Sequence, residues 1–130
     1  VNTKILMGSS AVAMGAAGVA LSFFPEEIGG YLGLTEAPFL LLQLLGALYF
    51  GFAMVNWTAK ANLIGGIYSR PVALGNFAHF FVGGLALAKV ASATATYTLA
   101  ATILYFLFTA LFGYVLFIGP AFKKKATVKV

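Results

Sequence analysis

The chain has 130 residues, 62% of them hydrophobic and 8% charged, with a formal net charge of +5 and no cysteine. A soluble domain carries roughly 25% charged residues, so this sequence cannot cover a water-facing surface, and lipid must be the solvent for most of it. The absence of cysteine excludes disulfide redox chemistry, thiol catalysis and thiolate metal sites. The basic excess does not read as a nucleic-acid surface either. Four of the eight basic residues (Lys123, Lys124, Lys125, Lys129) fall in the last eight positions and the others flank apolar runs, where charge acts on topology and lipid headgroups.

A spanning helix needs about 20 mostly apolar residues. The first run that meets this extends from about residue 5 to residue 24. It reads as a span rather than a cleaved signal peptide, because no small-x-small site stands at a clear boundary. The run is dense in small residues. Ser9, Ala13 and Ala17 form one row at four-residue spacing, and Ala11 with Gly15 forms a second. In lipid no hydrophobic force drives helices together, so such rows are where close packing is expected. With small residues on most of its circumference, this helix can touch more than one neighbour.

Pro25, Glu26 and Glu27 come next. Proline suits a first helical turn, and carboxylates suit the positive end of a helix. The pattern predicts a short interfacial helix from about Pro25 to Leu32, stopped by Gly33 and lying on the membrane surface. A cation site on the paired carboxylates is the competing reading, but adjacent residues on a helix do not face the same way.

The second run covers about 39 to 58, with Ala47 and Gly51 four apart, Gln43 near its start and Asn56 near its end. The third covers about 71 to 89 and places Asn76, His79, Gly83 and Ala86 on one face. The fourth covers about 97 to 118. There Thr98, Thr102, Tyr105 and Thr109 repeat at intervals of four, three and four. A stripe of hydroxyls among Leu, Ile and Phe looks inward, either for hydrogen bonds between helices or as the wall of a polar cavity. Trp57, Tyr68 and Tyr97 fall near span ends, where aromatic rings anchor at headgroups. The tail, residues 119–130, carries Lys123, Lys124 and Lys125, the residues expected to contact lipid headgroups.

With four spans, Lys4, Lys60, Arg70, Lys123, Lys124, Lys125 and Lys129 lie on one side, and Lys89 stands alone on the other, beside Glu26, Glu27 and Glu36. This seven-to-one bias predicts that both termini are cytoplasmic. The expected fold is therefore all-α: a single-domain, four-span transmembrane helix bundle with a short interfacial helix after the first span.

No Asp, Glu, Lys or Arg lies in mid-span, and the one histidine, His79, is the only candidate acid or base there apart from tyrosine phenols. A neutral imidazole both donates and accepts a hydrogen bond. One reading makes His79 structural, bonded to a Thr or Tyr of the fourth run or to Gln43. Another makes it a contact for a quinone, a lipid headgroup or another small amphiphile. Haem ligation would need a second axial ligand from another subunit, and a metal site lacks further ligands in the membrane. A nucleophile, base and carboxylate arrangement is missing. Gly65-Gly66 and Gly83-Gly84 lack the context of a phosphate loop. Proton-coupled cation export normally wants an intramembrane carboxylate, and four helices enclose too little space for a conducting pore.

Phe24-Pro25 with Tyr31-Leu32-Gly33-Leu34, then Leu45-Gly46-Ala47-Leu48-Tyr49-Phe50-Gly51, Asn56-Trp57, and Arg70-Pro71 with Asn76 and His79 form an ordered set across about residues 24 to 80. This order resembles a group of small bacterial four-helix membrane proteins, broadly DoxX-like. The resemblance implies a bacterial four-helix integral membrane protein, placed in the inner membrane, and supplies no reaction. Two functions follow as expectations. One is a non-catalytic membrane protein acting as a homo-oligomer or as an accessory subunit of a larger membrane complex. The other is a protein that binds or acts on a hydrophobic small molecule in a cavity lined by Gln43, Asn76, His79, Thr102 and Tyr105. No cofactor is identifiable from the residues.

Overall fold

A computed structural model describes residues 2–31, 33, 39–62, 69–91 and 96–118. Among the described residues the protein is all-helical, in the order α1 (Thr3–Phe23), α2 (Pro25–Tyr31), α3 (Phe39–Ala59), α4 (Arg70–Ala91) and α5 (Thr96–Phe117). The four long helices are each long and apolar enough to cross a membrane. At 1.5 Å per residue a helix of 21 residues, such as α3, is about 31 Å long, which matches a hydrocarbon core of about 30 Å. Their limits agree with the expected runs to within two residues.

The helix ends have local causes. α1 starts two residues ahead of the apolar run because Asn2 caps it. The Asn2 Oδ1 accepts hydrogen bonds from the backbone N–H groups of Lys4 (3.0 Å) and Ile5 (3.3 Å), satisfying donors that the first turn leaves unpaired. At the other end Phe24 steps out of the helix and Pro25 opens α2, with Glu26 and Glu27 exposed in its first turn. The short helix expected after the first span is therefore present. Its stop is Gly33, which has φ of 71° and donates its N–H to the Gly30 carbonyl at 3.1 Å. That left-handed conformation is open to glycine without steric cost.

The described residues fall into two compact units, one holding α1 from Met7 together with α2 and α3, the other holding α4 and α5. In the first, α1 and α3 run antiparallel, and α2 lies against α3. The two long helices touch backbone to backbone. A Cβ placed on Gly18 would lie 2.7 Å from the Phe50 nitrogen and 2.9 Å from the Gly46 carbonyl oxygen. One placed on Gly46 would lie 2.8 Å from the Gly18 carbonyl oxygen and 2.6 Å from Ser22 Oγ. Further along, Gly15 faces Ala53. The sequence pointed to Ala47 and Gly51 on α3, but the seam runs through Gly46 and Ala53. Ala47 and Gly51 are exposed. Neighbouring residues differ by about 100° around a helix of 3.6 residues per turn, so a shift of one position selects a different face. On α1 the seam takes Gly15 from the second expected row and continues through Gly18 and Ser22. Ser9, in the first row, is exposed.

In the second unit α4 and α5 also pair antiparallel, through rings. Phe80 is buried between Phe108 and Phe112, with centroids 4.7 and 5.9 Å away and near-parallel planes. Phe77 meets the edge of Phe117 at 5.5 Å and stacks on Phe81 at 5.7 Å. A Cβ on Gly113 would stand 3.2 Å from the Phe77 ring. Large apolar side chains such as Leu44, Leu48, Val55, Val82, Ile103 and Leu107 point outward. With no charge in mid-span, that surface has lipid as its solvent, and the protein is an integral membrane protein.

Gly18→Ala and Gly46→Ala each force two backbones apart and lower stability by about 1–3 kcal/mol, the usual cost of overpacking. Gly51→Ala, where no atom of the protomer lies within 4 Å of the added carbon, costs no stability, since alanine favours a helix interior over glycine. Unfolding titrations of the three variants in one detergent check the contrast, and equal loss in all three would contradict the assigned seam.

Candidate functional site

His79 and Tyr105 form the polar centre of the α4–α5 unit. The geometry starts at Gly83, one helical turn beyond His79. Lacking a side chain, Gly83 admits the Tyr105 ring to the surface of α4, where an added Cβ would stand 2.5 Å from Tyr105 Cε1. The ring then lies along α4 and its hydroxyl reaches His79 Nε2 at 3.4 Å, the outer limit of a hydrogen bond. The imidazole tautomer decides which of the two donates. The ring centroids are 5.5 Å apart, and Phe80 presents itself edge-on to both, at 5.0 Å from His79 and 5.2 Å from Tyr105. His79 and Tyr105 are each half-buried. An imidazole and a phenol are thus held side by side against an aromatic wall.

The other expected site residues are placed as follows. Asn76 is fully buried one turn before His79, and its amide nitrogen donates to the Val72 carbonyl at 2.9 Å. Thr102 is buried one turn before Tyr105, and its hydroxyl donates to the Thr98 carbonyl at 2.7 Å. Thr109 likewise donates to the Tyr105 carbonyl at 2.8 Å. The hydroxyl stripe of the fourth span therefore faces the expected way, but these two threonines direct their protons into their own helix, where a carbonyl one turn back is always within reach. Gln43 belongs to the other unit. It is exposed, and its Nε2 lies 3.5 Å from the Ser22 carbonyl oxygen across the α1–α3 pair. Of the five residues, the structure brings His79 and Tyr105 into contact. Lys123, Lys124 and Lys125 lie outside the described residues, as do Glu36 and Tyr68.

A second polar cluster was not singled out by the sequence. Asn56 and Ser10, both fully buried, bond across the α1–α3 pair, the Asn56 amide nitrogen donating to Ser10 Oγ at 3.0 Å. The Ser10 hydroxyl in turn donates a hydrogen bond to the Met7 carbonyl at 3.0 Å. The thioether of Met14 sits 3.9 Å from the same amide nitrogen, a weak acceptor on the soft side of the cluster. The signal was present in the residues, since Asn56 is an amide within an apolar run. Ser10, however, is hidden among many small residues, and spacing within one helix does not reveal a partner on another.

Among the described residues every buried side-chain nitrogen or oxygen has a hydrogen-bond partner, and no three His, Cys, Asp or Glu side chains gather as metal ligands. What the His79–Tyr105 pair offers chemically is a donor and an acceptor beside an aromatic surface, suited to a carbonyl or hydroxyl on an otherwise apolar molecule. No family model, curated protein or solved structure matches the chain.

A double-mutant cycle on Ser10→Ala and Asn56→Leu gives a coupling energy of about 0.6 kcal/mol, with an upper limit of about 1.7, the range for hydrogen bonds between membrane helices. Reversible unfolding in bicelles reads it directly. Additive effects of the two substitutions would show that the contact contributes nothing.

Proposed function

We propose that this protein is a small membrane subunit without catalytic machinery, working as an oligomer or as an accessory subunit of a larger membrane complex. The observation that carries this reading is the second small-residue face of α3. One face, through Gly46 and Ala53, is closed by α1, while the other, Ala47 and Gly51, is exposed, with no atom within 4 Å of a Cβ on Gly51. A small row left open to lipid is a surface on which another helix can approach closely. The polar side chains support the same reading, since many of them hydrogen-bond within a helix or across a helix pair. The charge bias supports a topology with both termini in the cytoplasm, and the resemblance to small DoxX-like proteins supports a bacterial inner membrane as its location.

The chain contains no cysteine, so a single introduced thiol reports unambiguously. Gly51→Cys and Ala47→Cys, oxidised in native membranes, yield a disulfide-linked dimer or a discrete heavier adduct. Ile103→Cys, a bulky outward position, yields neither. Monomer alone from both α3 variants at every expression level would sink the proposal.

A second reading is favoured by the His79–Tyr105 pair. Two half-buried polar groups meeting at 3.4 Å against Phe80 form a recognition point for a quinone, a lipid or a similar hydrophobic molecule. Mass spectrometry of gently extracted protein then finds a retained small molecule whose occupancy falls in His79→Ala and in Tyr105→Phe. Unchanged ligand content in both variants would remove this reading.

A further inference from the structure

We infer that Trp57 and Lys60, at the end of α3, form a binding site for the headgroup of an anionic phospholipid. Lys60 follows the last residue of α3, and Trp57 occupies its final turn, half exposed. The Lys60 Nζ stands over the indole, 2.9 Å from the ring centroid. The ring's negative face attracts the ammonium and holds it at one depth. It does not cancel the charge, and an ammonium has three N–H donors, so those turned away from the ring remain for an anion.

Three further observations point to lipid as the source of that anion. The span ending at Trp57 matches the hydrocarbon thickness in length, so the indole and the ammonium arrive at headgroup level. The two described carboxylates, Glu26 and Glu27 in α2, stand at the opposite end of the antiparallel α1–α3 pair, roughly a bilayer core away, and cannot neutralise Lys60. The Thr58 hydroxyl returns to the Met54 and Val55 carbonyls at 2.9 and 3.1 Å, so that proton stays within the helix. A phosphate diester oxygen accepting from Nζ, with its acyl chains running down the exposed Met54 and Val55 side of α3, satisfies the charge and covers apolar surface together.

Trp57 is the only tryptophan in the chain, so its fluorescence reports this site alone. The full-length protein is placed in nanodiscs of phosphatidylcholine and phosphatidylglycerol in which one lipid or the other carries brominated chains. At equal mole fraction, brominated phosphatidylglycerol quenches Trp57 more strongly than brominated phosphatidylcholine. The preference is lost in Lys60→Gln, is kept in Lys60→Arg and weakens at high salt, as screening requires. Inorganic phosphate added to nanodiscs of phosphatidylcholine leaves the emission unchanged. Equal quenching by the two lipids would overturn the proposal. So would a preference that survives Lys60→Gln, which would assign it to the lysine tail, or an emission change with inorganic phosphate, which would assign the site to a soluble anion.

Discussion

Hydrocarbon offers no hydrogen-bond partner, so every polar group inside a span has to be answered by the protein itself. The backbone is answered by being helical. The side chains are answered by two devices of different reach. Thr58, Thr102 and Thr109 turn their hydroxyls onto carbonyls of their own helix, which needs no neighbour and fixes no tertiary contact. Asn56 and His79 both reach a side chain on another helix, Ser10 and Tyr105 respectively. These longer contacts tie one helix register to another, because a shift along either helix breaks them.

Contact between helices is achieved in two ways within one short chain. Between α1 and α3, Gly18 and Gly46 remove the side chains altogether and let backbones meet. Dispersion between many close atoms then replaces the hydrophobic effect that lipid does not supply. Between α4 and α5 the glycines are used differently. Gly83 and Gly113 are notches into which the Tyr105 and Phe77 rings fit, and the seam is built from aromatic faces and edges. The first device gives a close, rigid approach with little chemistry in it. The second places a phenol beside an imidazole.

The four spans and the short helix between the first two were legible because their causes are local. Run length, the position of Pro25, and Gly33 after Tyr31 belong to single segments of sequence. The early start of α1 was local too, but depended on recognising Asn2 as a cap ahead of the apolar run. What could not be read was which face meets which. α1 carries small residues nearly all round, so its sequence permits several seams, and the choice of Gly15, Gly18 and Ser22 is made by the shape of α3. The same ambiguity put attention on Ala47 and Gly51 instead of Gly46 and Ala53. For the polar residues, the spacing of Asn76 and His79 placed them on one face, and His79 makes a contact to a tyrosine of the last span. The Asn56–Ser10 pairing had no equivalent signal, since pairing between helices is a property of register and not of composition.

The two inter-helix polar contacts also differ in what packing alone can explain. Asn56 and Ser10 are sealed, at 3.0 Å, with Ser10 using its hydroxyl as both donor and acceptor. That arrangement is complete as a structural clamp. His79, Phe80 and Tyr105 form a triangle of rings with centroids 5.0 to 5.5 Å apart, where a phenylalanine in place of the imidazole would bring no polar nitrogens out of water. Its contact with Tyr105 lies at 3.4 Å, the outer limit of a hydrogen bond. Both groups are also only half-buried, so the pair is within reach of something other than protein. The pair therefore ties α4 to α5 while leaving one side open beside aromatic faces, which is the observation behind the second reading of the function. Asn56 and His79 thus differ in exposure: the first is sealed between α1 and α3, and the second is half-buried beside Tyr105.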